Sequence, residues 1–506
     1  MRAMHAIFDA GAPAPCPAPF NLAAHVLAQA DARPDRIALS ILSPTGSERW
    51  SYARLVAAVR GVATGLLGSG LRPGDRVLLR LGNEVDFPLA FLGAVAAGIV
   101  PVPTSAQLTA GEVDKLVRIV RPAAILRGPG VACPETDLPV HDGATLAAWR
   151  GNPPAAWDMG DPDRLAYIVF TSGTSGVPRA VMHAHRAIWA RRMMIADWYG
   201  LGPDDRLAHA GAFNWTYTLG TGLLDPWTTG ATALIPAQGV TPAQLPLLLR
   251  RHEATILAAA PGVFRQMLKA GTPDLPRLRH GLSAGEKLAD PLRAAWQEAT
   301  GTAIYEAFGM SECSTFISAA PGSPAAPGTL GRPQRGRRVA ILGADGTPVD
   351  WDEAGEIAVD RRDPGLMLGY FDAPDATARR MSGTWFLTGD RGAMAADGSV
   401  TYLGRADDVM TAGGFRISPV EVEAALLAHP GIDEAGVTEV EVRPGVRVIA
   451  AFWTGPEAIA DDILDAFAAE RLARYKQPRL WHRCETLPKS ANGKLLRRAL
   501  ADLLPG

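Results

Sequence analysis

From Asn21 onward the chain alternates apolar runs of strand length with stretches whose apolar residues recur at helical spacing. Strands are expected at Arg36–Ile41, Glu48–Ser51, Val77–Leu81 and Ile99–Pro103, and helices across Tyr52–Leu67 and residues 88–98. This alternation predicts a layered α/β domain with a largely parallel sheet, and it continues through residues 115–168. Further on, His183–Trp198 reads as a helix. The aromatic-rich junction Ala208–Tyr217 leads into a helix running to about Gly230. Ala254–Ala259 and Pro261–Ala270 form a strand–helix pair, and Leu278–Ala284 and Ala303–Phe308 read as strands. Short strands with Gly/Pro turns fill 328–404, a smaller β-rich subdomain. The charged run Arg405–Asp408 and the pair Gly413-Gly414 mark a boundary, leaving roughly 90 residues for a small α+β domain. Residues 1–20, rich in Ala and Pro, read as a loose leader.

The stretch with the most chemistry is Leu165–Phe170 followed by Thr171-Ser172-Gly173-Thr174-Ser175-Gly176-Val177-Pro178-Arg179. Its first half is a β-branched and aromatic strand, and its second a run of hydroxyls and glycines ending in a cation. Glycines let backbone N–H groups approach an anion, hydroxyls add short donors, and Arg179 adds a fork of charged donors. The loop alone reads equally as a phosphate cradle or as a polar turn without ligand. It is not a G-x-x-x-x-G-K-[ST] loop, because no Lys-Ser/Thr pair follows the glycines. Three more polar clusters, at 283–286, 308–312 and 387–391, are expected at strand ends, where open α/β sheets bind ligands.

A length of 506 residues suggests about three domains or subdomains. A hydrophobic content of 47% with 20% charged residues fits a globular protein. The net charge of −2 gives no global electrostatic case for nucleic acid or an anionic membrane as partner. Cys16, Cys133, Cys313 and Cys484 are far apart, so free thiols in a reducing cytosol are expected rather than a zinc site or disulfides. No secretory signal stands at the N-terminus, and the longest apolar stretch, Leu89–Val100, is too short to span a bilayer. A cytoplasmic location is expected.

Taken together, the clusters resemble the motifs of the acyl-adenylate-forming superfamily: acyl-CoA synthetases, peptide-synthetase adenylation domains and beetle luciferases. The resemblance runs from about Asn21 to Leu500, in the family's order and spacing. Residues 171–180 resemble the phosphate loop T-S-G-T-T-G-x-P-K-G, with Ser175, Arg179 and Ala180 as departures. Ser283-Ala284-Gly285-Glu286 and Glu306-Ala307-Phe308-Gly309 resemble the segments that line the adenine pocket. Phe308-Gly309-Met310-Ser311-Glu312 resembles Y-G-x-T-E, which implies Ser311 on the α-phosphate and Glu312 as magnesium ligand. Thr388-Gly389-Asp390 resembles the ribose motif, with Arg405 beside it, and Asp407 matches the hinge between domains. Leu487–Lys494 resembles the last motif, which makes Lys494 the catalytic lysine, assisted by Thr174 and Arg179. A cation suits that step, because a carboxylate attacking an α-phosphate concentrates negative charge.

The resemblance implies an N-terminal adenylation domain, 1–405, and a mobile C-terminal domain, 406–506. It implies ATP, Mg2+ and coenzyme A, and two half-reactions. A small carboxylic acid and ATP give acyl-AMP and pyrophosphate; the small domain then rotates and presents Gly413-Gly414 to a pantetheine thiol. Trp215 falls at the family's aromatic gate, and Trp215, Tyr217, Phe264, Gly309 and Met310 are candidate walls of the acyl pocket. Residues 213–227 and 312–318 look most like benzoate-type and medium-chain acyl-CoA ligases, and an aromatic acid is preferred over a short aliphatic one. Coenzyme A is the expected acceptor. Asn214 stands where amino-acid-activating domains carry Asp, which favours coenzyme A; a stand-alone ligase loading a carrier protein is the alternative. A nucleotide-binding regulator on the same scaffold would have lost Lys494 or Glu312, and both are present. A homodimer is compatible with the resemblance.

Overall fold

The structure is a computed structural model. It describes residues 5–504 except 172–177, 272–273, 406–409, 413–414, 444–445, 473, 475 and 491–492. Its largest sheet has a parallel centre, with Ile304–Met310, His280–Ala284, Ile256–Ala259, Arg206–His209, Thr232–Pro236 and Ile37–Ser43 as successive neighbours. Antiparallel strands Ser314–Ser318 and Gly46–Ser51 flank it. A second parallel sheet orders Val100–Pro103, Arg76–Arg80, Ala124–Arg127 and Val140–Asp142.

The helices follow their apolar spacing. Tyr52–Gly68 starts where the Ser51 hydroxyl accepts the Arg54 N–H at 3.3 Å, and it buries Leu55, Val59, Val62 and Leu66 along one stripe. Asp86–Ala96 is buried on every face, as its unbroken apolar run requires. No helix among the described residues is long and apolar enough to cross a membrane.

Three expectations change. Residues before 20 are not all loose: Ile7–Asp9 pairs antiparallel with Arg338–Ala340, and Ala6 is fully buried. The leader thereby supplies an edge strand to the β-rich sheet of Arg338–Leu342, Gly355–Asp360, Trp385–Met394 and Val400–Arg405. The helix expected from His183 begins only at Ala187, because Arg179–Ala184 is a strand whose backbone pairs with Leu165–Thr171. The helical run that follows changes to a π-helix over Ile195–Tyr199. The cluster 387–391 lies inside the ten-residue strand Trp385–Met394, not at its end.

The small C-terminal domain holds the sheet Glu434–Arg443, Val446–Thr454 and Leu480–Arg483, with helices Pro419–Leu426 and Asp461–Arg471. It docks on helix Pro261–Lys269 through Arg265–Glu434 at 2.6 Å and Lys269–Asp433 at 2.8 Å.

Candidate active site

Leu165–Thr171 and Arg179–Ala184 form an antiparallel hairpin in which Thr171 faces Arg179. The candidate phosphate loop therefore closes a hairpin, and its two ends are held in register. Ser172, Gly173, Thr174, Ser175 and Gly176 lie outside the described residues, as do Asp407, Gly413 and Gly414. Short strand Gly369–Tyr370 pairs with the hairpin at Val181 and Met182. This places the Tyr370 ring 5.2 Å from the Arg179 guanidinium carbon, while its hydroxyl donates to Glu312 Oε1 at 2.7 Å. Burial, then the Glu312 carboxylate, push the Tyr370 phenol up, so it stays a donor at neutral pH. Tyr370 thus joins the phosphate hairpin to the proposed magnesium ligand, and no motif announced it.

Glu312 is 6% exposed, and its carbonyl accepts the Met367 N–H at 2.7 Å. The Ser311 carbonyl accepts from His183 Nε2 at 2.8 Å, and His183 stacks on Tyr167. Burial pushes His183 down to about 4, so the imidazole is a neutral strut. Gly309 lies at a register shift between Phe308 and its partner strand, where any side chain would collide with the Ser314 backbone. Phe308 packs against Phe316 and Tyr402, with ring centroids 5.4 Å apart in both cases.

Asp390 is almost fully buried. Oδ1 accepts from the Tyr402 hydroxyl at 2.9 Å, and Oδ2 from Arg405 at 3.2 Å. Two charge-assisted bonds leave lone-pair sites for sugar hydroxyls. Burial raises the Asp390 carboxyl, against the opposing pull of Arg405, Tyr402, Lys494 and Arg380. Tyr402 is a second residue that motif reading missed. Its signal was its position on Val400–Arg405, opposite Gly392 in the ladder.

Ser283, Ala284, Gly285 and Glu286 close the strand His280–Ala284. Gly285 has φ +96°, and a Cβ there would stand 2.6 Å from Trp215 Cζ2, so only glycine lets the indole lie against this turn. Glu286 is pushed from its ordinary 4.5 to about 7 by burial, with Lys489, Arg265 and Lys494 opposing. Its Oε1 is buried with no hydrogen-bond partner. Lys494 is exposed on the turn after Ser490, yet its charge acts on both Asp390 and Glu286, so the C-terminal loop sits over the site.

Trp215 and Tyr217 meet edge to face at 5.1 Å, and both face His209. His209 is fully buried with both ring nitrogens unpartnered, and burial pushes it down to about 3. The hydroxyls of Thr218 and Ser283 are likewise buried and unpartnered. His209 lay within the aromatic junction of the sequence, but nothing there marked it as buried. Phe264 packs edge-on to Trp296 in the core, and Met310 lies against the cluster containing Tyr370 and Phe386. The Glu306 carboxylate turns to the Leu288 N–H, Lys287 and Arg293, leaving only its backbone, with that of Ala307, toward the strand ends.

The sequence matches the AMP-binding enzyme family over residues 26–371 and the AMP-binding enzyme C-terminal domain over 421–494. It is 32% identical to the 4-hydroxybenzoate–CoA/benzoate–CoA ligase of Rhodopseudomonas palustris, covering 90% of this chain and 89% of that one. It is 29% identical to human mitochondrial acyl-coenzyme A synthetase ACSM4, covering 96% and 91%. The fold superposes on that of the anthranilate CoA ligase AuaEII in complex with anthranoyl-AMP with a TM-score of 0.87, at 25% identity over 96% of this chain and 98% of that chain. With both domains matched in order, the chain belongs to the AMP-binding superfamily, as an AMP-forming acid–CoA ligase.

Proposed function

We propose that the acid is aromatic, a benzoate or a ring-substituted benzoate, converted through its adenylate to the CoA thioester. The observation that carries this is the edge-to-face Trp215–Tyr217 pair, with the Trp215 indole laid against Gly285, an aromatic corner beside the nucleotide motifs. The unpartnered His209, Thr218 and Ser283 beside it favour an acid with a hydroxyl or amino substituent over a plain hydrocarbon chain. Relatives named for benzoate and hydroxybenzoate support the same class.

In the first half-reaction the N–H groups of the loop from Thr171 to Gly176, with Arg179, hold the β- and γ-phosphates. Asp390 and Arg405 hold the ribose, and Phe308 with the 283–286 turn holds adenine. Lys494 draws the carboxylate and the α-phosphate together. Magnesium, when bound, supplies a hard charge to the phosphates. Glu312 would hold it, with Tyr370 occupying one carboxylate oxygen. No group of three or more His, Cys, Asp or Glu side chains suited to a metal occurs among the described residues. That donor set fits an ion carried mainly by phosphate oxygens. In the second half-reaction the domain from 406 onward turns about Asp407, withdraws Lys494 and brings Gly413-Gly414 to the thiol.

The experiment is pyrophosphate exchange over a panel of benzoate, hydroxy- and aminobenzoates and short aliphatic acids, followed by thioester formation with free CoA or a carrier-protein thiol. Exchange strongest with an aliphatic acid would overturn the aromatic assignment. Thioester formed only on the carrier would overturn the CoA assignment.

A further inference from the structure

On the opposite edge of the main sheet from these motifs lies a pocket of about 210 Å³ lined by Ser40, Arg49, Arg206, Arg251, His252 and Glu253. Arg206 is the first residue of its strand, and His252 and Glu253 precede the strand Ile256–Ala259. The acyl wall, by contrast, follows the carboxyl ends of these strands.

We propose that this pocket binds a phosphate-sized oxyanion. Three cations converge with little compensation. Arg49 Nε donates to the Ser47 hydroxyl at 3.1 Å, Arg206 Nε to the His252 carbonyl at 2.6 Å and Arg251 to the Pro44 carbonyl at 2.9 Å. Each spends a donor on a neutral acceptor, and none of the three forms an ion pair among the described residues. Glu253 is the sole carboxylate of the lining, and nearby Arg36 is already paired with Asp204. Guanidiniums at a shared concavity repel unless an anion joins them.

The second observation is at the floor. Ser40 sits mid-strand, opposite Arg49 on one side and Leu234 on the other, fully buried with its hydroxyl unpartnered. His252, the C-cap of helix Leu245–Arg251, is 3% exposed with both ring nitrogens unpartnered. Buried polar groups are costly when left unpaired. A hydroxyl and an imidazole N–H below and guanidiniums around match the oxygens of a tetrahedral oxyanion better than a planar carboxylate.

The test is calorimetric titration of inorganic phosphate into the full chain, with a non-hydrolysable ATP analogue saturating the nucleotide site and its phosphate loop and ionic strength held with chloride. One phosphate per chain is expected. Arg49→Ala/Arg251→Ala should weaken it at least about tenfold, as loss of charge-assisted hydrogen bonds requires, while affinity for the ATP analogue stays unchanged. Ser40→Ala, which leaves the surface cations intact, should weaken phosphate by a smaller factor. Equal phosphate affinity in the arginine variant and the native chain, or no saturable phosphate binding, would overturn the proposal. Because the ATP analogue fills the nucleotide site and its phosphate loop throughout, the outcome is independent of which acid the enzyme activates.

Discussion

Replacing Tyr370 by phenylalanine separates the two roles of that side chain. The ring stays under Arg179, and only the hydroxyl that donates to Glu312 at 2.7 Å is lost. The acceptor is a carboxylate only 6% exposed, so water replaces the donor poorly. A hydrogen bond to a charged group is worth about 1.5–3 kcal/mol. At about 1.4 kcal/mol per factor of ten, Tyr370→Phe should slow adenylation by about 10- to 100-fold. The assay is ATP–pyrophosphate exchange with the best acid of the panel, run beside thioester formation from supplied acyl-AMP. Exchange should fall and thioester formation should hold, because the role proposed for Glu312 is on the triphosphate alone. Unchanged exchange, or an equal fall in both half-reactions together with a lowered Tm, would refute the reasoning. Tyr370→Leu removes the ring as well. If it is no worse than Tyr370→Phe, the contact with Arg179 contributes nothing.

Three further outcomes follow from the site. Lys494→Ala should abolish pyrophosphate exchange yet leave conversion of supplied acyl-AMP to thioester; equal loss of both would remove its assigned role. Between pH 4.5 and about 7 the folded chain keeps the Glu286 proton that the unfolded chain has released, so native stability falls as pH rises through that window. Glu286→Gln does not titrate, and should gain up to about 3 kcal/mol on the native protein by pH 8, with the gap closing toward pH 4.5. Thermal unfolding at both pH values measures this, and a gap independent of pH would contradict it. Gly309→Ala drives a Cβ into the Ser314 backbone, so a loss of about 1–3 kcal/mol in urea unfolding is expected alongside slowed adenylation. Unchanged stability and exchange would mean the strand gives way freely.

Motifs were legible where one short segment carries the whole function. The family is carried by segments such as Phe308–Glu312 and Thr388–Asp390, whose residue types stand within a few positions of each other, so order and spacing sufficed to recognise it. Partners arriving from elsewhere were not legible. Tyr370 stands 58 positions from Glu312 and meets it because a two-residue strand pairs with the hairpin. Phe264 has the residue type of a pocket wall, and its edge-on packing against Trp296 could not be read from the sequence. The misread helix at His183 has the same origin: its side chains suit either element, and the backbone partner at Leu165–Thr171 decided for strand.

The sequence by itself determined the fold class, the order of the two domains and the adenylate-forming ligase family, because each rests on local spacing and residue type. Only the tertiary structure decided which groups are buried and left without partners: His209 at the aromatic wall, Glu286 with its carboxyl raised to about 7, Ser40 and His252 in the arginine pocket. Desolvation depends on the atoms that surround a group on every side, and those are supplied by strands and helices far away in the chain.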